Sequence, residues 1–344
     1  MFKNYFIHHH ILKGITMTPK TLKKNLLTAM RNQLPILIKG APGVGKSDIV
    51  TQVAKELKMN LILCHPVVSD PTDFKGLPGI VNDMAEFLPF GELRKMIEAK
   101  KPTIVFLDDL GQAPAVVQAA AMQLILARRI NGHKISEHIV FVAATNRRED
   151  RAGVTSILEP VKSRFASIWQ LDVDSDEWIE WALNNDMPEE IIGFAHLRPA
   201  LLSSGKATAD IVNSPCPRTF ASAGKMIKAG LNDIECLSGT LGEGCAAELF
   251  GFMKVYKSLP NINSIILDPD GTTVPSEPAA LYAVVSALVG KITVDNVANI
   301  LKYGSRLPME FSVLLVRDGI RACAAIQNTK AFIAWSVQNK SIVL

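Results

Sequence analysis

Eight consecutive residues, Gly40-Ala41-Pro42-Gly43-Val44-Gly45-Lys46-Ser47, match the spacing G-x-x-x-x-G-K-[ST] at every fixed position. A stretch of this kind can hold a phosphate chain. Its glycines let main-chain N–H groups turn inward onto phosphate oxygens, and a helix beginning at its end adds partial positive charge. Lys46 is placed to reach β- and γ-phosphates, and Ser47 to ligate Mg²⁺. Asp48, next on the same helix, is grouped with residues 40–47 as nucleotide-binding.

Two acids extend this chemistry. The apolar run Thr103-Ile104-Val105-Phe106-Leu107 ends in Asp108-Asp109. Ligands of open α/β sheets bind at the carboxyl ends of strands. Asp108 therefore stands where a carboxylate would hold Mg²⁺, and Asp109 where a base would orient an attacking water. A second buried run, Ile139-Val140-Phe141-Val142-Ala143-Ala144, ends in Thr145-Asn146, which offers an amide to the γ-phosphate or to that water. Basic residues follow: Arg147, Arg148, Arg151 and, further on, Lys162-Ser163-Arg164-Phe165. A guanidinium's fixed fork of donors stabilises charge developing on a transferred phosphoryl group. Arg218, in the first turn of an expected helix, is disfavoured there by the helix dipole, and a phosphate would serve as its partner.

The elements that must position these groups read as follows. Residues 18–31 form an amphipathic helix with Thr18 as N-cap and Pro19 in its first turn. An apolar strand over 34–38 leads into the phosphate loop, and a helix over 47–58 leaves it. Residues 60–64 read as a second buried strand. The Pro-, Gly- and Asp-rich stretch 65–79 reads as an irregular loop with Phe74 and Lys75 at its tip, where the aromatic either contacts a partner or anchors the loop. Helices are expected over 92–100 and 116–128, an Asn131-Gly132 hairpin after the second, and a closing strand over 168–171. From Glu177 the pattern is helical, with apolar stripes Leu249, Phe252, Met253, Tyr256 and Leu281, Val284, Val285, Leu288. The final helix, with Phe332 and Trp335, packs on this core or on a partner.

Length and composition set bounds. With 344 residues, 48% hydrophobic and 20% charged, the chain can build more than one core. A net charge of +4 without a basic block does not call for nucleic acid. The longest apolar helical stretch, 279–290, is too short to span a bilayer, so no membrane partner is expected and the expected setting is cytoplasmic. Five scattered cysteines give neither a disulfide framework nor a zinc site, and buried thiols are expected. Residues 1–16, with His8-His9-His10, read as a disordered or upstream-translated leader, and Met17 as a natural start.

In order, Gly40 to Ser47, Asp108-Asp109, Thr145-Asn146, Ser163-Arg164-Phe165 and Pro217-Arg218 resemble Walker A, Walker B, sensor 1, arginine finger and sensor 2 of the AAA+ ATPases. The stretch Asp70-Pro71-Thr72-Asp73-Phe74-Lys75-Gly76 and the hairpin at Asn131-Gly132 resemble the MoxR branch, particularly its phage or prophage-type members. The resemblance covers roughly residues 20–230. It implies a P-loop NTPase fold, a parallel sheet with flanking helices, followed by an α-helical lid and a helical C-terminal region. The domains are then 17–172 for the α/β part, 173–230 for the lid and 231–344 for the rest.

By the same resemblance the activity is hydrolysis of ATP with Mg²⁺, and the catalytic residues are Lys46, Asp109, Asn146, Arg164 and Arg218. The assembly is a ring, usually a hexamer, with an arginine donated by the neighbour. The work is chaperone-like remodelling, often beside a partner bearing a von Willebrand factor A domain. Two departures stand out. Asp109 replaces the usual glutamate, so the acid starts one methylene further back; because small misplacements are expensive, slow hydrolysis is expected. Leu110-Gly111-Gln112-Ala113 replaces the usual Ile-Asn-Arg-Ala. Other readings are an ATP-gated assembly or binding module with little turnover and a DNA-handling ATPase. Which of Arg147, Arg148, Arg151 and Arg164 is the finger stays open.

Overall fold

The computed structural model describes residues 16–147, 150, 157–205 and 210–339. The expected leader over 1–16 falls outside these residues except for Thr16. The chain divides into two compact units, Met1–Val173 and Asp174–Leu344.

The first unit is built on five parallel strands: β1 (Ile36–Lys39), β2 (Asn60–Cys64), β5 (Thr103–Leu107), β8 (Ile139–Thr145) and β9 (Ser167–Gln170). Their order in the sheet is β2-β5-β8-β1-β9. β5 and β8 are buried along their whole length, as continuous apolar runs in a parallel sheet should be. Alternate residues of the strands go to opposite layers. Val105, Leu107, Phe141 and Ala143 meet α4 (Gly91–Glu98) and α5 (Ala115–Ala127) through Leu93, Met96, Val117 and Leu124. Ile104, Phe106, Val140 and Val142 meet α1 (Pro19–Arg31) and α2 (Lys46–Glu56) through Leu22, Leu26, Ile49 and Val53. Thr18 caps α1 by accepting from the Thr21 N–H at 3.3 Å. Met17 extends the sheet beside β9, its N–H donating to Gln170 O at 2.7 Å.

Two expectations change here. β2 lies at the edge of the sheet with only Cys64 buried, so it is not a fully buried strand. The stretch 65–79 is not irregular throughout: it contains α3 (Pro71–Lys75), closed by a capping box between Asp70 and Asp73, and then enters a hairpin of β3 (Leu77–Val81) and β4 (Met84–Leu88). Asn82 and Asp83 turn this hairpin with φ of 51° and 62°, the left-handed pair that a two-residue turn requires. Phe74 is buried in the core rather than at a tip, which selects the anchoring role.

A second hairpin, β6 (Arg129–Ile130) and β7 (His133–Lys134), turns at Asn131-Gly132 as expected. It is tied to α3 and to the first hairpin: Asn131 Nδ2 donates to Lys75 O at 2.8 Å, and His133 Nε2 lies 2.7 Å from Phe87 O. A short α6 (Glu159–Lys162) precedes β9.

The second unit is helical: α7 (Ser175–Asn184), α8 (Glu189–Leu197), α9 (Pro217–Lys228), α10 (Ile234–Leu241), α11 (Glu243–Lys257), α12 (Ile262–Leu267), α13 (Pro278–Gly290), α14 (Val297–Gly304), α15 (Met309–Ala322) and α16 (Lys330–Gln338). Helices on both sides of residue 230 belong to this one unit. Both apolar stripes are buried apart from the half-buried Tyr256, and Trp335 of α16 is buried with the second. Among the described residues no helix is long and apolar enough to cross a membrane. Cys64 and Cys245 are buried, whereas Cys216, Cys236 and Cys323 are half-buried, which corrects the expectation of five buried thiols. Burial pushes the Cys64 thiol up to about 12, with Glu92 adding to the shift, so it is inert as a nucleophile.

Candidate nucleotide site at the carboxyl edge of the sheet

Gly40 follows β1, Asp108 follows β5 and Asn146 follows β8, and the register places these strand ends side by side. Lys39 pairs with Thr145, and Leu107 with Ala143. Parallel pairing thus gathers at one edge three motifs that lie far apart in the chain.

The loop between β1 and α2 turns on Gly43 and Gly45, at φ of 74° and 94°, where any side chain would be strained. α2 starts at Lys46 with no side-chain cap, so its first N–H groups are free of a competing acceptor from the cap residue. Lys46 is only 7% exposed. Its Nζ donates to Gly40 O and Ala41 O at 2.9 Å each and to Asn146 Oδ1 at 2.7 Å. Asp48 is exposed on the first turn of α2, and its side chain stays outside this cluster.

Ser47 Oγ donates to Asp108 Oδ2 at 2.8 Å. Two hard oxygens at this separation fit Mg²⁺, since cis ligands of an octahedron with bonds of 2.0–2.1 Å lie about 2.9 Å apart. Asp108 is itself fixed: its N–H donates to Cys64 O at 3.0 Å, and its Oδ1 accepts from the Asp109 N–H at 3.1 Å.

Asp109 has φ 56° and ψ 34°, a left-handed conformation, at the head of a 3₁₀ turn over Leu110–Gln112. Its Oδ1 accepts from Gln112 Nε2 at 2.9 Å and, more weakly, from Asn146 Nδ2 at 3.4 Å. Asn146 therefore joins the loop lysine to the second acid. Gln112 was not among the expected site residues. The signal available was its place three residues after Asp109 in a turn-forming stretch, which puts positions 109 and 112 together.

The basic residues are distributed differently. Arg164 lies just before β9, and Ala166 N–H donates to Pro35 O at 2.8 Å, so this segment is at the amino edge of the sheet, opposite the phosphate loop. Arg147 forks onto Asp150, with Nη2 to Oδ1 at 2.8 Å and Nε to Oδ2 at 3.0 Å. Arg148 and Arg151 lie outside the described residues. Arg218 belongs to the second unit, exposed in the first turn of α9, and has no ion pair with a carboxylate among the described residues.

Comparisons with known proteins bear on the same region. The model of the ATPase family associated with various cellular activities (AAA) matches residues 36–173. Midasin of Giardia intestinalis is 27% identical over 192 residues, covering 51% of this chain but 4% of midasin's own length. The Thermotoga maritima RuvB Holliday junction branch migration motor aligns over 78% of this chain and 80% of its own, at 17% identity and a TM-score of 0.41. A mutant of that RuvB gives 18% identity over 78% and 81%, with a TM-score of 0.42. The sheet with its flanking helices is the AAA fold.

Proposed function

We propose that this chain is a Mg²⁺-dependent ATPase that converts ATP and water to ADP and phosphate. It works as a MoxR-like oligomer, a hexameric ring, that remodels a protein partner, with a von Willebrand factor A domain protein as the companion class. The observation that carries the hydrolytic reading is the contact chain Lys46–Asn146–Asp109 beside the Ser47–Asp108 pair. Groups suited to phosphate, to metal and to water meet in one hydrogen-bonded cluster. The finer placement is supported by the resemblance of residues 70–76 and of the Asn131-Gly132 hairpin to the MoxR branch.

In this reading, residues 40–47 hold the phosphates through main-chain N–H groups, and Lys46 neutralises their charge. Ser47 and Asp108 hold Mg²⁺, which when bound neutralises charge on the β- and γ-phosphoryl oxygens. Asp109 takes the proton of the attacking water, and Asn146 aligns that water or the γ-phosphate. Arg164, at the far edge of its own sheet, serves the site of a neighbouring copy, and Arg218 adds charge from the helical unit. The test is calorimetry with Mg·ATP combined with phosphate release. Binding without turnover in Asp109→Asn, and weak binding in Lys46→Ala, are the expected results; a wild-type protein that takes up no nucleotide sinks the proposal.

One observation favours a second reading, an ATP-gated assembly module with little turnover. The acid at 109 is short, and its Oδ1 is already engaged by two amides. Assembly driven by ATP with no phosphate released would select it.

A further inference from the structure

We propose that Gln112 is the positioning residue for Asp109: it holds one carboxylate oxygen so that the other faces water as the proton acceptor. This rests on the hydrolytic reading above. Three observations converge on it.

First, residues 109 and 112 are joined twice. The Gln112 N–H donates to Asp109 O at 3.0 Å, and Gln112 Nε2 donates to Asp109 Oδ1 at 2.9 Å. Asp109 sits in the left-handed region, and such strain persists where surrounding contacts over-determine it. Second, Gln112 Oε1 is buried without a hydrogen-bond partner among the described residues. Leaving a buried amide oxygen unpaired is unfavourable, and an apolar side chain of similar reach would avoid it. The reverse amide orientation would set that oxygen against a carboxylate oxygen. The donor end is thus what the amide is there for, and it goes to Asp109. Third, the turn rests directly on the end of β8: a Cβ on Gly111 would come within 2.2 Å of Thr145 Oγ1. Gln112 is thereby located by the strand that Asn146 follows.

The chemistry suits a short base. A neutral amide orients the carboxylate through one directed hydrogen bond without setting a further charge beside the Ser47–Asp108 pair. In the step served, the water oxygen bonds to the γ-phosphorus and its proton passes to Asp109 Oδ2. The bond from that phosphorus to the β–γ bridging oxygen breaks, and its electron pair stays on ADP.

The experiment uses the full chain and measures kcat and KM for Mg·ATP and the calorimetric affinity for Mg·ATP. Gln112→Leu keeps the volume and removes the donor. It should lower kcat about tenfold, the change expected from one hydrogen bond to a charged group, with KM and affinity within about twofold. Gln112→Glu likewise removes the donor and sets a like charge against the oxygen that Gln112 held, so kcat should fall at least as far. If wild type hydrolyses ATP and either variant keeps its kcat, or Gln112→Leu loses affinity as much as kcat, the positioning role fails alone. If wild type binds no Mg·ATP, or binds it without turnover, the hydrolytic reading fails and takes this role with it.

Discussion

At the residue scale, the site is organised by how a buried ammonium and two adjacent carboxylates are satisfied. Lys46 is nearly enclosed, and its acceptors are two loop carbonyls and Asn146 Oδ1. Phosphate oxygens carry more negative charge than carbonyls and can take over these bonds. Lys46→Ala should therefore weaken Mg·ATP binding about 10- to 100-fold, the equivalent of about 1.5–3 kcal/mol for hydrogen bonds to a charged group, as titration calorimetry would register. Asp109→Asn keeps the hydrogen-bonding shape but removes the base. Its hydrolysis rate should fall about 10²- to 10⁴-fold with nucleotide affinity retained. Equal losses in both quantities would mean that Asp109 is structural.

At the element scale, close packing between the 3₁₀ turn and β8 leaves no room for a side chain at position 111. Gly111→Ala should cost about 1–3 kcal/mol of stability through overpacking against Thr145 and Ile157, seen as a lower denaturation midpoint. In the helical unit, α8 and α15 are joined by His196 Nε2 and Asp318 Oδ2 at 2.5 Å, both side chains buried. Burial opposes ionisation of Asp318, but the His196 hydrogen bond and the charges of His196, Arg317 and Arg321 outweigh it and hold the carboxyl below its usual range. A carboxyl depressed in the folded state contributes stability above its unfolded pKa, about 3.9, and loses it as pH falls through the folded value. Acid unfolding of this unit should therefore shift to higher pH in Asp318→Asn. Asp318→Ala should lose about 3–5 kcal/mol at neutral pH, since it leaves the buried His196 without this partner. Denaturant titration across acid pH checks both.

At the scale of the whole molecule, the distribution of arginines bears on assembly. Arg164 is held at the amino edge of its own sheet while the phosphate loop is at the carboxyl edge, so a role for it in hydrolysis requires another copy. Arg147 is already paired with Asp150. The expected behaviour of Arg164→Ala is ATP affinity and ATP-dependent assembly like wild type, measured by light scattering, with hydrolysis reduced about a thousandfold or more. Unchanged turnover in that variant would rule Arg164 out as the trans arginine.

The sequence by itself determined the order of the motifs and the type of most elements. A phosphate loop is written in glycines whose left-handed φ is a local demand, and the buried strands are written as uninterrupted apolar runs. The N-cap at Thr18 and the turn at Asn131-Gly132 are equally local, and they appear where the residues put them. Only the tertiary structure decided which strand ends become neighbours. Placing β8 between β5 and β1 sets Asn146 between Asp109 and Lys46, and parallel pairing of segments about 100 residues apart has no local signature. The β3–β4 hairpin stayed hidden because Pro78 and Gly79 read as breakers, although a freely twisting two-stranded ribbon tolerates them. The burial of Phe74 likewise depends on a layer of core assembled from distant residues, which no window of sequence contains.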